Sequence, residues 1–182
     1  EDMEFDSILP AVQSGKADVG AAGMTITEDR KKNVDFSDSY TNAKQVILVR
    51  NTDNNSGSAD TKSDGNIIKT VDDLPGKTIG VQLGTTGDTY ATEYEGDEAG
   101  TKIERYNKAA DAVQALKQQK IDCVIIDDLP ANEFLNKNSD IKKLDEDFSN
   151  EDYAFCVQKG RTDLLDKINS SLAKLQKDGT LA

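Results

Sequence analysis

Arg30 closes the segment Gly23-Met24-Thr25-Ile26-Thr27-Glu28-Asp29-Arg30. Gly23 permits close backbone approach. Thr25 offers a hydroxyl and a backbone N–H at the end of an apolar run. A guanidinium one turn into a following short helix can fold back over that strand end and present two parallel N–H groups. That fork matches a carboxylate. From spacing alone, the commoner arrangement is a surface arginine paired with Glu28 or Asp29. A second segment, Gln82-Leu83-Gly84-Thr85-Thr86-Gly87-Asp88, runs from a strand through a Gly-rich turn into a helix start. Threonine hydroxyls and free N–H groups there suit an anion, although ordinary capping fits equally well. The Lys-Ser/Thr pair of a nucleotide-binding loop is absent. A third segment ends an apolar strand in Asp127-Asp128, where one carboxylate can accept from a ligand ammonium and the other can cap the helix begun near Pro130. An anion grip at Arg30 and Thr25, a hydrogen-bonding turn at Thr85 and Thr86, and a cation grip at Asp127 are the complements of a zwitterion.

Composition narrows the chemistry. The 182 residues contain no histidine, which removes Ser-His-Asp and Cys-His nucleophile pairs, histidine-bound zinc and the commonest general base. No cofactor and no metal site is expected. A formal net charge of −12 opposes binding to nucleic acid or anionic lipid. The acidic run Asp145-Glu146-Asp147 with Glu151-Asp152 lacks the glycine of a calcium loop and reads as a solvated face. Tyr40 and Tyr106 read as packing residues. Cys123 and Cys156 both sit in apolar runs and read as buried small hydrophobes, with a disulfide between neighbouring strands as the alternative. No apolar run approaches a membrane span. The chain opens without an initiator Met or a signal peptide, so it reads as a segment of a longer protein.

The elements that must position these residues alternate between strand and helix, which argues for an α/β fold with largely parallel sheets. Phe5, Ile8, Leu9 and Val12 follow helical spacing up to Gly15, with Pro10 expected near the first turn. Strands are expected over 17–23, 46–49, 78–83, 102–106, 121–126 and 153–157, that over 46–49 buried on both faces. Thr70 and Asp73 form a capping box, Asn107 can cap the helix carrying Val113 and Leu116, and Leu165, Ile168, Leu172 and Leu175 line a last helix. Residues 51–66 read as a mobile polar loop. AVQSGKADVGAAG and AVQALKQQKIDCVIID echo one another as helix, lysine, one residue, aspartate, strand. One copy ends in Thr25 and the other in Asp127. Two lobes built alike, with ligand groups at strand ends, imply a cleft.

At these residues the sequence resembles the polar amino-acid-binding proteins of ABC importers, the extracytoplasmic solute-binding family 3. The resemblance runs in order through FDSILPAVQSGKADV, GMTITEDRKKNVDFSDSY, DLPGKTIGVQLGTTGDTY, AVQALKQQKIDCVIIDDLPA, EDYAFCVQKG and LLDKINSSLAKLQKDGT. It implies a two-lobe periplasmic-binding-protein-like fold with two hinge strands. The first lobe, 1–48 plus 153–182, is expected to be incomplete, and the second spans 49–152. It also implies a binding protein, not an enzyme, that hands a free amino acid to ABC permease subunits. Arg30 would bind the α-carboxylate, Thr25 and Gly23 would stand beside it, and Thr85 and Thr86 would complete that site from the second lobe. Asp127 would take the α-ammonium and Phe5 would line the side-chain pocket. Ala22 stands where the family often carries a serine, which removes one hydroxyl. The family's initial strand, helix and strand, with an acidic residue and an aromatic that help hold the ligand, precede the position of Glu1. The family's last helical stretch would lie beyond Ala182, and both sections are expected to be missing from this chain. The resemblance further implies location outside the cytoplasm, in the periplasm or on a lipid anchor, and a monomer, with a swapped dimer as the alternative for so shortened a chain. A ligand-sensing receptor domain would share the same binding chemistry. A dehydratase-type enzyme on this fold would need Asp127 or a glutamate as its acid or base.

Overall fold

The structure is a computed structural model that describes residues 1–51, 68–146 and 149–181. The expected mobile loop therefore lies outside the described residues except for Asn51. The chain divides into two compact units, Glu1–Ala43 with Glu151–Ala182, and Lys44–Asn150.

The first unit opens with α1 (Phe5–Gln13), β1 (Val19–Thr25), α2 (Glu28–Lys31) and β2 (Val34–Phe36). It leaves along β3 (Thr41–Arg50), returns along β8 (Ser149–Gln158) and ends in α6 (Thr162–Lys177). Both unit boundaries thus fall inside strands. β1 and β2 each pair antiparallel with β8, and Gly20 and Phe36 both face Cys156. β8 therefore runs between β1 and β2. This departs from the largely parallel arrangement expected from strand–helix alternation. The four-residue α2 links two strands that run the same way on either side of β8, and β8 enters in the opposite sense. The core cluster here is small: Val12, Val34 and Cys156 are buried, with Ile8, Leu9, Ala17 and Phe36 packed against them. Pro10 lies in the interior of α1, past its first turn. The helix starts earlier than the proline suggests because Glu4 already holds the extended N-cap conformation. Pro10 and Asp6 are both exposed, so water can take the carbonyl that a proline leaves without a donor.

The second unit runs through a 3₁₀ turn at Val71–Asp73, then β4 (Thr78–Gln82), α3 (Thr86–Thr92), β5 (Lys102–Tyr106), α4 (Ala109–Lys117), β6 (Cys123–Asp127), α5 (Asp128–Lys137) and β7 (Ile141–Lys143). β4 is parallel to both β5 and β6, and β3 closes the set antiparallel to β6, with β7 on its other side. Val46, Leu48, Val124 and Ile126 enter one core with α4 and α5 residues. Ile47, Val49, Cys123 and Ile125 enter a second core on the opposite face, with Ala91 of α3. Alternate side chains of a strand point to opposite faces, so two cores explain why β3 and β6 read as unbroken apolar runs. The 3₁₀ turn carries the expected capping box of Thr70 and Asp73. Asn107 does not cap α4. Lys108 is the N-cap and makes no side-chain cap bond, while the Asn107 carbonyl accepts from Gln82 Nε2 at 3.1 Å.

The echo between the two helix–strand units is structural. After α1, Gly15 has φ +71° and Lys16 N donates to Ala11 O at 2.9 Å. After α4, Gln119 has φ +60° and Lys120 N donates to Ala115 O at 3.0 Å. Both are left-handed C-terminal closures in which an N–H beyond the helix reaches back to a carbonyl of the last turn. One closure uses glycine and the other bears the steric cost of a side chain at positive φ.

Candidate functional site

In the first unit, β1 ends at Thr25 and Thr27 caps α2 by accepting from Arg30 N at 3.2 Å. That cap fixes where Arg30 leaves the backbone. The side chain is 9% exposed, and its Nη1 donates to the Thr25 carbonyl at 2.8 Å. Glu28 and Asp29 bond instead to Lys31 and Lys32, at 2.8 and 2.6 Å. The acids beside the arginine thus have their own lysines, and the guanidinium turns inward onto the strand end. Phe5, the first residue of α1, lies under it with the guanidinium carbon 5.7 Å from the ring centroid, a cation–π distance.

Thr25 is buried, and its hydroxyl donates to Glu151 Oε2 at 2.6 Å. Its proton is committed there. The backbone is different. Ile26 N donates to Asp152 O at 3.0 Å, and adjacent pairs of an antiparallel ladder alternate between bonded and non-bonded. Thr25, opposite Tyr153, therefore turns its N–H and C=O away from β8, towards the side on which Arg30 meets the carbonyl. Gly23 has φ +60°, and a Cβ there would come within 2.8 Å of the Tyr153 ring. Tyr40 stacks on Phe155 at 4.8 Å and tilts against Tyr153 at 6.4 Å. Burial pushes its hydroxyl pKa up, opposed by a backbone hydrogen bond from Gly23. Tyr40 therefore packs, as does Tyr106, which lies against a core of the second unit.

Glu151 overturns the reading of the acidic run as solvated throughout. It is 5% exposed. Alternation along β8 turns Glu151 and Tyr153 inwards while Asp152 stays outside, bonded to Asn42 Nδ2 at 2.6 Å. Asp147 lies outside the described residues. Among the described residues no group of three or more acids or cysteines could hold a metal ion. Cys123 and Cys156 are both buried free thiols, and burial pushes both pKa values up.

In the second unit, Thr85 caps α3. Its hydroxyl donates to Gln82 O at 2.8 Å and accepts from Asp88 N at 3.3 Å. Asp88 Oδ2 in turn accepts from Gly84 N at 3.0 Å, and Arg105 Nε grips its other oxygen at 2.8 Å. Thr86, the first residue of the helix, is buried, and its hydroxyl accepts from Gln45 Nε2 at 3.0 Å. Asp127 is the N-cap of α5 by position but makes no side-chain cap bond. Its carboxylate accepts from Gln45 Nε2, while Asp128 accepts from Lys44 N at 3.2 Å. The structure thus joins Thr86 and Asp127 through one buried amide, and the two adjacent aspartates serve different partners.

A profile of bacterial extracellular solute-binding proteins, family 3, matches residues 1–182. The chain belongs to that family. The arginine-binding extracellular protein ArtP of Bacillus subtilis is 34% identical over 184 residues, covering 100% of this chain. The L-cystine-binding protein TcyJ of Escherichia coli is 32% identical over 179 residues, covering 98%. The chain spans 66% and 62% of the lengths of these two relatives. Among solved structures, an ancestral arginine-binding protein bound to arginine superposes with a TM-score of 0.85 at 42% identity, over 100% of this chain and 75% of that one. Holo ArgBP from T. maritima gives 0.84 at 43% identity, over 97% and 71%. The α/β fold of these binding proteins is the fold of this chain. Family members are described as extracellular, and among the described residues no helix is long and apolar enough to cross a membrane.

Proposed function

We propose that the protein binds a free amino acid and hands it to the permease of an ABC importer. Arg30 takes the α-carboxylate, and the Thr25 N–H supports it from the strand end. Asp127 takes the α-ammonium. Thr86 supplies the second unit's hydroxyl, with Thr85 holding the helix start that presents it. Phe5 supports the guanidinium from below and borders the ligand's side chain, and Gly23 keeps the backbone of β1 close. The units Glu1–Ala43 with Glu151–Ala182 and Lys44–Asn150 act as the two lobes, and β3 and β8 are the strands about which they move when the ligand is gripped.

The observation that carries this reading is the buried Arg30 guanidinium turned onto the Thr25 carbonyl. A guanidinium held at a strand end presents a planar fork of donors, and a carboxylate is the partner that fork fits. The protein acts as a carrier rather than an enzyme, since the proposed site offers charge complements and no histidine. It works outside the cytoplasm, in the periplasm or held by a lipid anchor. The experiment is a thermal-shift screen of the full-length protein against the twenty amino acids, cystine and ornithine. L-Arginine heads the series because the 42–43% identical structures are arginine-binding proteins. A true ligand raises the Tm progressively with the logarithm of its concentration. No shift with any of them contradicts the amino-acid reading.

A further inference from the structure

Gln45 enters neither the expected site nor the family resemblance, and among the described residues it is the most deeply buried polar side chain of the second unit, at 0% exposure. It stands on β3 directly opposite Asp127, among Val46, Ile47 and Leu48, which fill the two cores. Its Nε2 donates to both the Asp127 carboxylate and the Thr86 hydroxyl. The carboxylate only accepts, so the amide must turn its NH₂ that way. Gly87 completes the arrangement. A Cβ there would lie 2.9 Å from Gln45 Oε1 and 3.1 Å from the Ile125 carbonyl. The glycine after Thr86 therefore keeps open the space that the carboxamide fills. Packing alone gives no reason for an amide at this depth, since an apolar side chain of similar size avoids the desolvation that burying it costs.

We propose that Gln45 is a positioning residue that locks the Asp127 carboxylate and the Thr86 hydroxyl into one orientation for the ligand. The proposal rests on the reading of Asp127 and Thr86 as ligand groups. Gln45 bonds to the groups that would hold the ammonium and complete the carboxylate site, so an effect on affinity can pass through them.

The test is a double-mutant cycle on the full-length protein, titrated with L-arginine by calorimetry. Gln45→Leu is expected to weaken binding about tenfold or more, while the same change in an Asp127→Asn background costs less than about threefold, because contacting residues couple. Gly87→Ala, which crowds the carboxamide from the other side, should weaken binding through the same Asp127-dependent step and serves if Gln45→Leu folds poorly. A crystal structure of the ligand-free Gln45→Leu protein adds a readout that needs no ligand, and Asp127 and Thr86 should turn from their present directions. Unchanged directions overturn the proposal, as do independent, multiplying losses of affinity. An Asp127→Asn variant that binds as tightly as the wild type removes the ligand reading itself, and Gln45 with it. That outcome is distinct from one in which Asp127 matters and Gln45 does not.

Discussion

Arg30 shows how a single residue changes meaning with its surroundings. Its spacing fitted a surface ion pair with Glu28 or Asp29, but those acids bond to Lys31 and Lys32 and the guanidinium turns inward. In the proposed site the fork, rather than the charge alone, would grip the carboxylate. Arg30→Lys is therefore expected to weaken amino-acid binding by about tenfold or more while leaving the fold intact, since an ammonium cannot reproduce two parallel donors. Calorimetric titration beside a circular-dichroism melt checks both halves. Gly23 makes a different kind of demand. Its φ of +60° makes any side chain costly, and the Tyr153 ring, 2.8 Å from where a Cβ would stand, leaves no room for one. Gly23→Ala should destabilise the protein by more than about 1 kcal/mol in urea denaturation. The residues proposed to bind the ligand could be picked out one by one in the sequence. Their supporting partners could not, because Gln45 is hidden in an apolar run and Glu151 in an acidic one. A hydrogen bond between residues 25 and 151 leaves no local pattern in either segment.

At the scale of elements, periodicity was a good guide where a single rule governed. The runs of β3 and β6 are apolar throughout because each strand serves two cores, and the 3₁₀ turn sits where its capping box lies. β2 and β7, each three residues long, were not visible, because so short a strand carries no alternation and is defined by its partner. The misplaced α1 boundary and the Asn107 cap have a related cause: a favourable residue type marks a place where an element can start, and tertiary pairing decides whether it does. The repeated helix closures yield a prediction. Gln119 occupies at φ +60° the position that Gly15 fills in the other copy. Gln119→Gly should stabilise the second unit by roughly 0.5–1 kcal/mol, and Gly15→Ala should destabilise the first by a similar amount or more. Chemical denaturation of each variant measures the difference, and a destabilised Gln119→Gly variant would show that the side chain contributes more than its strain costs.

At the scale of the whole molecule, the two units differ in how much core they own. Among the described residues the first clusters three buried apolar residues, whereas the second has clusters of eleven and ten. Local opening is easiest where buried apolar contact is sparse. Each unit carries one buried thiol, Cys156 in the first and Cys123 in the second. Burial raises both pKa values, so at neutral pH the native thiols stay protonated and unreactive. Modification must then pass through opening of the surrounding unit. Cys156 should be alkylated faster than Cys123 in a time course read by mass spectrometry, and ligand should slow both reactions. Equal rates would mean that the chain opens as one cooperative body. The family resemblance was legible at this scale because it depends on the order of many segments. The antiparallel first unit was not, because strand–helix alternation says nothing about the direction in which β8 returns.

The most direct test of the central claim is calorimetric titration of the full-length protein and its Arg30→Ala variant with L-arginine and with L-argininamide, in which an uncharged amide replaces the α-carboxylate. The wild type should bind the free acid far more tightly than the amide. Arg30→Ala should cost about 2–5 kcal/mol, or roughly thirtyfold to a few thousandfold in affinity, for the free acid alone, bringing the two ligands together. An Arg30→Ala protein that is folded and binds L-arginine as tightly as the wild type would contradict the assignment of Arg30 to the carboxylate.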